Sequence, residues 1–465
     1  GYYNSNIHHK KTVFDMFYRK NPSNNGFAIA CGLEQVIDYI KNIKFTEEDI
    51  SYLKSLNIFE ESFLQYLKEF SFKGNIYAIP EGTVVFPNEP LIRIEACITE
   101  AQFIETTILN IINHQSLIAT KASRVVWAAE GDNVIEFGLR RAQSPDAGIY
   151  GSRACLIGGC SATSNVLAGK MFNIPVSGTH AHSWIMSFKD ELTAFKTYAN
   201  LYPDSCVLLV DTYDTLKSGV PNAIKVFTEM KEKGINLKNY GIRLDSGDLS
   251  YISSKARKML DSAGFKDAII AASNDLDENI ISSLKQQGTK INVWGVGTSL
   301  ITSSDCPAFG GVYKLCAEEV DGEMLPKIKL SENLDKVTNP GIKKIFRLYD
   351  KETNKIKADL ITLDYETIDE TKDLTIFHPI ATWKKMTLKA NEYYAKELLV
   401  PVFINGECVF NSKSVMEIRE YCNKQKDSLW DESKRLINPH ILPVDLSEDL
   451  YNLKENLINK IRNNK

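Results

Sequence analysis

The sequence predicts an α/β fold built on a parallel sheet, open or closed into a barrel, and three observations predict it. First, six short apolar runs stand at residues 134–137, 174–176, 206–210, 240–244, 268–271 and 291–294. Near-continuous apolar runs mark parallel strands buried on both faces. Second, helical patterns separate the runs. After 240–244, Ile252, Ala256, Met259, Leu260 and Ala263 share one helix face and Gly264 is a stop. After 268–271, Ser273-Asn-Asp275 precedes Ile280, Ile281 and Leu284, with Gly288 as the stop. Such alternation implies right-handed crossovers in one sheet. Third, 465 residues exceed one ordinary core. About 150 residues per domain gives two or three domains, and a barrel of about 250 residues plus a smaller unit fits equally well.

The flanks differ. Within residues 1–112, Leu33, Val36, Ile37 and Ile40 have helical spacing, and residues 75–98 alternate turns with β-branched runs, which predicts short antiparallel strands. Thr99-x-x-Gln102 reads as a capping box opening a helix through Phe103, Ile104, Thr107, Ile108 and Ile111. Residues 312–365 return to β-like character, with turns at Asp321-Gly322 and Asn339-Pro-Gly341. From about residue 383 the chain is mixed, carries no assigned role, and closes on a Lys/Asn-rich stretch expected to fray. There is no internal repeat and no low-complexity tract.

Composition excludes several classes. Hydrophobic content of 43% and charged content of 25% are those of a soluble globular protein. A net charge of −4 offers no basic footprint for nucleic acid. Nine cysteines without a C-x-x-C pair fit neither a disulfide framework nor a zinc site, and read as a reducing, cytoplasmic compartment. No apolar run approaches the ~18 residues of a membrane span, and no secretory leader is visible.

In a parallel barrel, the loops after the strands share one mouth. In chain order these loops carry Gly138-Leu-Arg140-Arg141, Gly178-Thr179-His180-Ala-His182, Asp211-Thr212-Tyr213-Asp214, Arg243-Leu-Asp245-Ser246-Gly247-Asp248, Ser273-Asn274-Asp275 and Gly295-Val-Gly297-Thr298-Ser299. Guanidinium groups suit carboxylate or phosphate. Carboxylates suit ribose hydroxyls or Mg²⁺. The Gly-Val-Gly-Thr turn offers backbone amides to a phosphate. Each element alone has a plainer reading. Asp248 can be a helix cap, Arg140-Arg141 a surface pair, and the two histidines one exposed and one satisfied in the core. Lys314 reads as a strand residue, His378 as a turn or site residue, His8 and His9 as solvated, and His114 as a core or interface residue. The cysteines read as buried small hydrophobes. What favours a site is the succession of six polar strand ends: together they suggest a phosphorylated, hydroxylated substrate with a metal.

Six segments then match a known pattern in order: Phe14-Asp-Met-Phe-Tyr-Arg-Lys-Asn-Pro22, Phe137-Gly-Leu-Arg-Arg-Ala-Gln143, Ser164-Asn-Val-Leu-Ala-Gly169, Gly178-Thr-His-Ala-His-Ser183, Ile242-Arg-Leu-Asp-Ser-Gly-Asp-Leu249 and Gly295-Val-Gly-Thr298. On these motifs the chain resembles the nicotinate phosphoribosyltransferases of the long bacterial type. The resemblance implies an irregular parallel α/β barrel over 113–317, with a second α/β domain built from 1–112 and from the C-terminal segments and tail, 318–465. It implies a homodimer with active sites near the subunit interface. It implies joining of nicotinate to 5-phosphoribosyl 1-pyrophosphate with coupled ATP hydrolysis, giving nicotinate mononucleotide, pyrophosphate, ADP and phosphate in NAD salvage.

The resemblance also assigns residues. His182 is the histidine phosphorylated by ATP, and with Asp211 and Asp245 forms the catalytic set. Thr179 and Arg243 contact nicotinate, and Arg141 is a second guanidinium near the ring or pyrophosphate. Gly247, Gly295, Gly297 and Thr298 contact the phosphoribosyl group, and Asp211 and Asp245 lie by the ribose and Mg²⁺. Ser164 stands near a position where nicotinamide-specific relatives carry an aspartate; a neutral side chain there favours the nicotinate carboxylate. The family's Thr-Asp-Leu-Tyr segment, whose tyrosine stacks on nicotinate, has no counterpart here, and Tyr2 and Tyr3 do not replace it. A chain without it is expected to hold nicotinate more weakly. Pyrophosphate departure develops positive charge on the ribose, and the pyridine nitrogen is already a nucleophile, so no strong general base is needed. Alternatives are a nicotinamide phosphoribosyltransferase, a quinolinate phosphoribosyltransferase, a non-catalytic phosphosugar-binding barrel, and a metal-dependent hydrolase using His180, His182 and Asp211.

Overall fold

Apolar runs in the middle of the chain form a six-stranded parallel sheet in the computed structural model, which describes residues 1–333, 336–381 and 383–463. Its strands are β1 (Asn133–Glu136), β2 (Ala162–Thr163), β3 (Ser205–Leu209), β4 (Asn239–Leu244), β5 (Ile269–Ala272) and β6 (Val293–Val296). Across the sheet they run β2-β1-β6-β5-β4-β3, each neighbour parallel. Helices Val220–Glu232, Leu249–Ser262 and Glu278–Gln286 cross between successive strands from β3 to β6. Val134, Leu208, Ile242, Leu244, Ile270 and Trp294 fill the buried faces. The unit comprises Ile118–Pro307 and Ser414–Arg419.

One predicted strand is not a strand. Residues 174–176 make a single parallel bridge, Val176 beside Thr163. Pro175 has no N–H and serves only as an acceptor, from Thr163 at 3.1 Å. The second strand is instead the two-residue β2. Beyond Val176 the chain reaches the opposite sheet edge, where the Leu209 N–H donates to His180 Nε2 at 3.2 Å. A side-chain bond thus takes the place of a ladder between the sheet's two edges, which makes the barrel irregular.

The second unit gathers Gly1–Leu117, Ala308–Lys413 and the described residues from Glu420 onward. Its seven-stranded antiparallel sheet has the order Glu323–Pro326, Gly311–Val320, Lys11–Tyr18, Ile92–Cys97, Asn75–Ala78, Val400–Ile404, Glu407–Cys408. Lys314 lies on one of these strands. A mixed six-stranded sheet holds Lys343–Asp350 and Ile356–Leu363. The predicted helix at Leu33 is Leu33–Asn42 and buries Leu33, Val36, Ile37 and Ile40.

Other expectations change. The capping box at Thr99 does not form, because helix Ile98–Ala128 starts directly after strand Ile92–Cys97. Thr99 Oγ1 instead donates to His8 O at 3.3 Å and Gln102 donates to Glu105 at 2.8 Å. That helix takes in His114, whose pKa burial lowers. His8 is half-buried rather than solvated: it packs on Tyr3 and Tyr66. His378 is a turn residue, its Nδ1 accepting from the amides of Ile380 and Ala381. The Lys/Asn-rich end is helical through Asn463; its last two residues lie outside the described ones. None of the nine cysteines is in a disulfide among the described residues, and six are buried. Among the described residues, no helix is long and apolar enough to cross a membrane.

Candidate active site

Parallel strands put their C-terminal ends on one side, so the loops after β3, β4 and β5 meet there, joined by the 177–182 segment. The centre of the cluster is Arg243, near the end of β4. Its Nη1 donates to Thr179 Oγ1 at 2.7 Å, its Nε to Ser273 Oγ at 2.9 Å and its Nη2 to Asp245 Oδ1 at 3.2 Å. The Ser273 hydroxyl in turn donates to Asp245 Oδ1. The guanidinium also lies 5.8 Å from the centre of the Phe137 ring. A cation fixed by hydroxyls and lying beside an aromatic ring suits a flat anion.

Asp211 follows β3. Its Oδ2 accepts from the Asp245 N–H at 2.8 Å and from Ser246 Oγ at 2.7 Å. Its Oδ1 is buried without a hydrogen-bond partner among the described residues. His182 opens a short helical turn, His182–Met186. Its Nε2 stands 3.9 Å from Asp211 Oδ1 and 3.6 Å from Asp245 Oδ2, and its Nδ1 3.5 Å from Thr212 Oγ1. With 37% of its side chain exposed, His182 faces two carboxylates and solvent together.

The other histidine of the motif differs. His180 is buried, its ring 4.6 Å from Tyr198 and tilted 66° to it. Burial lowers its pKa to about 4, so the ring is neutral at neutral pH. Because Nε2 accepts the Leu209 N–H, the proton sits on Nδ1. With that nitrogen occupied, His180, His182 and Asp211 do not form a three-ligand metal site, and no such group of His, Cys, Asp or Glu exists among the described residues.

Five expected residues therefore meet: Thr179, His182, Asp211, Arg243 and Asp245. The remaining ones stand differently. Arg141 is exposed on the turn Leu139–Arg141, outside this hydrogen-bonded cluster among the described residues. Gly247 takes φ +79°, and Asp248 caps helix Leu249–Ser262 by accepting from the Tyr251 N–H. Gly295 lies inside β6, where a Cβ would come within 2.5 Å of the Phe137 ring; its absence makes room for that ring. Gly297 and Thr298 open the short helix Thr298–Thr302. Residue-level reading named Phe137 and Ser246 without giving either a role, and missed the double role of Ser273. It also missed Glu136, although a carboxylate inside an apolar run is a visible signal.

Comparison with known proteins covers nearly the whole chain. Residues 1–113 match the nicotinate phosphoribosyltransferase (NAPRTase) N-terminal domain, 133–336 the nicotinate phosphoribosyltransferase (NAPRTase) family model, and 342–454 the corresponding C-terminal domain. A nicotinate phosphoribosyltransferase of Bacillus subtilis is 49% identical over 461 residues, covering 99% of this chain and 93% of its own. One from Caenorhabditis elegans is 36% identical over 511 residues, covering 97% and 89%. The crystal structure of human nicotinic acid phosphoribosyltransferase superposes with a TM-score of 0.85 at 27% identity, covering 98% of this chain and 97% of its own.

Proposed function

Since the chain belongs to the nicotinate phosphoribosyltransferase family, we infer that it joins nicotinate to the anomeric carbon of 5-phosphoribosyl 1-pyrophosphate, releasing pyrophosphate and forming nicotinate mononucleotide for NAD salvage. The observation that carries the residue-level reading is the Thr179–Arg243–Asp245–Ser273 network, set beside Phe137 and facing His182. Arg243 binds the nicotinate carboxylate, and the Phe137 ring lies alongside the pyridine. The ring nitrogen attacks the anomeric carbon as the C–O bond to pyrophosphate breaks. Asp211 and Asp245 stabilise the positive charge that spreads over the ribose. Gly247, Gly297 and Thr298 take the 5-phosphate side, with Gly295 behind them shaping the wall, and Arg141 is free to reach the pyrophosphate.

Mg²⁺ fits these residues. Asp211 Oδ1 is a buried oxygen with no donor, and Asp245 Oδ2 faces the same point. Two carboxylates with substrate oxygens are the usual footing of Mg²⁺, which neutralises a leaving pyrophosphate when bound.

ATP coupling belongs to the same proposal. His182 takes the γ-phosphoryl group from ATP, releasing ADP, and the phosphohistidine is hydrolysed to phosphate and free histidine. Its support is a part-exposed imidazole whose Nε2 faces the carboxylates of Asp211 and Asp245, groups able to orient the ring for attack. A homodimer follows from the family resemblance, and a cytoplasmic location from nine cysteines outside any disulfide. Incubation with nicotinate or nicotinamide, with and without ATP, tests the reading. Nicotinate mononucleotide, formed faster with ATP, is expected; nicotinamide mononucleotide as the main product, or substrate binding without turnover, overturns it.

A further inference from the structure

We propose that Glu136 is a positioning residue that sets the nicotinate-binding wall of the barrel mouth, an assignment that rests on the nicotinate reading above. Glu136 ends β1 and is fully buried. Its carboxylate gathers three separate segments. Oε1 accepts from the Gly138 N–H, in the loop that carries Phe137 and Arg141. Oε2 accepts from Thr163 Oγ1 at 2.6 Å, at the end of β2, and lies 3.0 Å from Ser152 Oγ on helix Pro145–Gly158. Its own carbonyl accepts from the Ser164 N–H at 2.9 Å. Thr163 Oγ1 accepts from the Asn165 N–H at 3.0 Å, so the hold extends past Ser164.

Two of these partners bear on the ring pocket. The Gly138 bond fixes the backbone beside Phe137, whose ring is confined by Gly295 on one side and lies near Arg243. A Cβ at Gly138 would lie 2.4 Å from Ile301 Cβ and 2.9 Å from Glu136 Oε1, so this loop has one close-packed path. The Thr163 and Asn165 bonds fix Ser164, the neutral residue that the family resemblance puts near the nicotinate carboxylate. A purely apolar residue at 136 would pack the barrel equally well but leave the Gly138 N–H and the Thr163 hydroxyl without this acceptor, while Ser152 keeps Gly148 O at 2.8 Å. A buried acceptor shared by three segments makes sense where their relative placement matters to a fraction of an ångström. Burial raises the carboxyl pKa, and the three donors offset part of that rise.

Glu136→Asp keeps the charge and withdraws the carboxylate by about 1.5 Å, whereas Glu136→Gln keeps the length. Steady-state kinetics on both variants separates positioning from a merely structural role. For Glu136→Asp the KM for nicotinate is expected to rise about tenfold, with the KM for 5-phosphoribosyl 1-pyrophosphate unchanged. Glu136→Gln is expected to restore most of the nicotinate KM. An unchanged nicotinate KM in a folded Asp variant, or an equal rise for both substrates, overturns the proposal. If the Asp variant does not fold, Thr163→Val removes the nearer hydroxyl donor, at 2.6 Å, and is expected to raise the nicotinate KM alone; no selective rise there also overturns it. Failure of the nicotinate reading is distinct: the unmodified protein would then form no nucleotide from nicotinate.

Discussion

Two arginine–aspartate pairs in this molecule use the same chemistry for opposite ends. Arg347 and Asp359 lie on paired strands of the mixed sheet, both side chains 0% exposed. Their bonds are two-pronged, Nε to Oδ1 at 2.9 Å and Nη2 to Oδ2 at 2.5 Å, and Gln425 takes Nη1 at 3.1 Å. Arg243 and Asp245 touch once, at 3.2 Å, with 18% and 30% of the side chains exposed. Hydroxyls of Thr179 and Ser273 take two more of the five guanidinium N–H groups. Carboxylates would cancel the positive charge; hydroxyls orient it and leave it available to an anion. Burial with two-pronged charge pairing thus builds architecture, and partial exposure with one single-pronged carboxylate and two hydroxyls builds a binding site.

The comparison breaks most visibly at the buried pair. Arg347→Met leaves the buried Asp359, beside the Glu89 carboxyl, without its cation, expected to cost about 3–5 kcal/mol and to lower the unfolding temperature by about 5 °C. Thermal unfolding checks it, and a shift as small as that of a surface substitution would remove the architectural role.

At the site, loss should appear in rate rather than stability. His182→Ala is expected to turn over equally fast with and without ATP and to yield no acid-labile phosphoprotein. A phosphoprotein still formed from ATP would move the acceptor elsewhere.

A smaller effect separates the two histidines. His180 has its folded-state pKa lowered to about 4 by burial. A lowered value means the unfolded chain binds the proton more tightly. The stability tied to the neutral ring is therefore fully present above the unfolded pKa near 6.5 and is lost as pH falls toward 4. The loss is on the order of 3 kcal/mol across that window. Denaturant titrations at several pH values should show this fall shrink in His180→Gln, with no comparable change in His182→Gln. An identical fall in both variants would contradict the separation.

The sequence made the strands of the parallel sheet legible because burial on both faces leaves apolar runs with little interruption. Five of six were found this way. The two-residue β2 carries too little pattern to see, and 174–176 looked like a strand because Ile174, Pro175 and Val176 are apolar, while a single bridge is all that forms. The cluster residues were legible as polar strand ends. Ser273 stood in such a loop, but its two bonds to Arg243 and Asp245 link β4 with β5, and spacing along one chain does not reveal that. Likewise the Arg347–Asp359 pair, twelve residues apart, depends on strand register. The false capping box at Thr99 shows the converse: a local motif yielded when the preceding strand ran straight into the helix.

The most direct test of the partly exposed pair is the KM of Arg243→Ala for nicotinate and for nicotinamide, measured side by side. A charge-assisted grip on the carboxylate is worth about 1.5–3 kcal/mol, so the nicotinate KM should rise on the order of 10- to 100-fold while that for nicotinamide hardly moves. An equal rise for both would show that Arg243 holds something common to the two reactions, such as a phosphate, and would contradict the account.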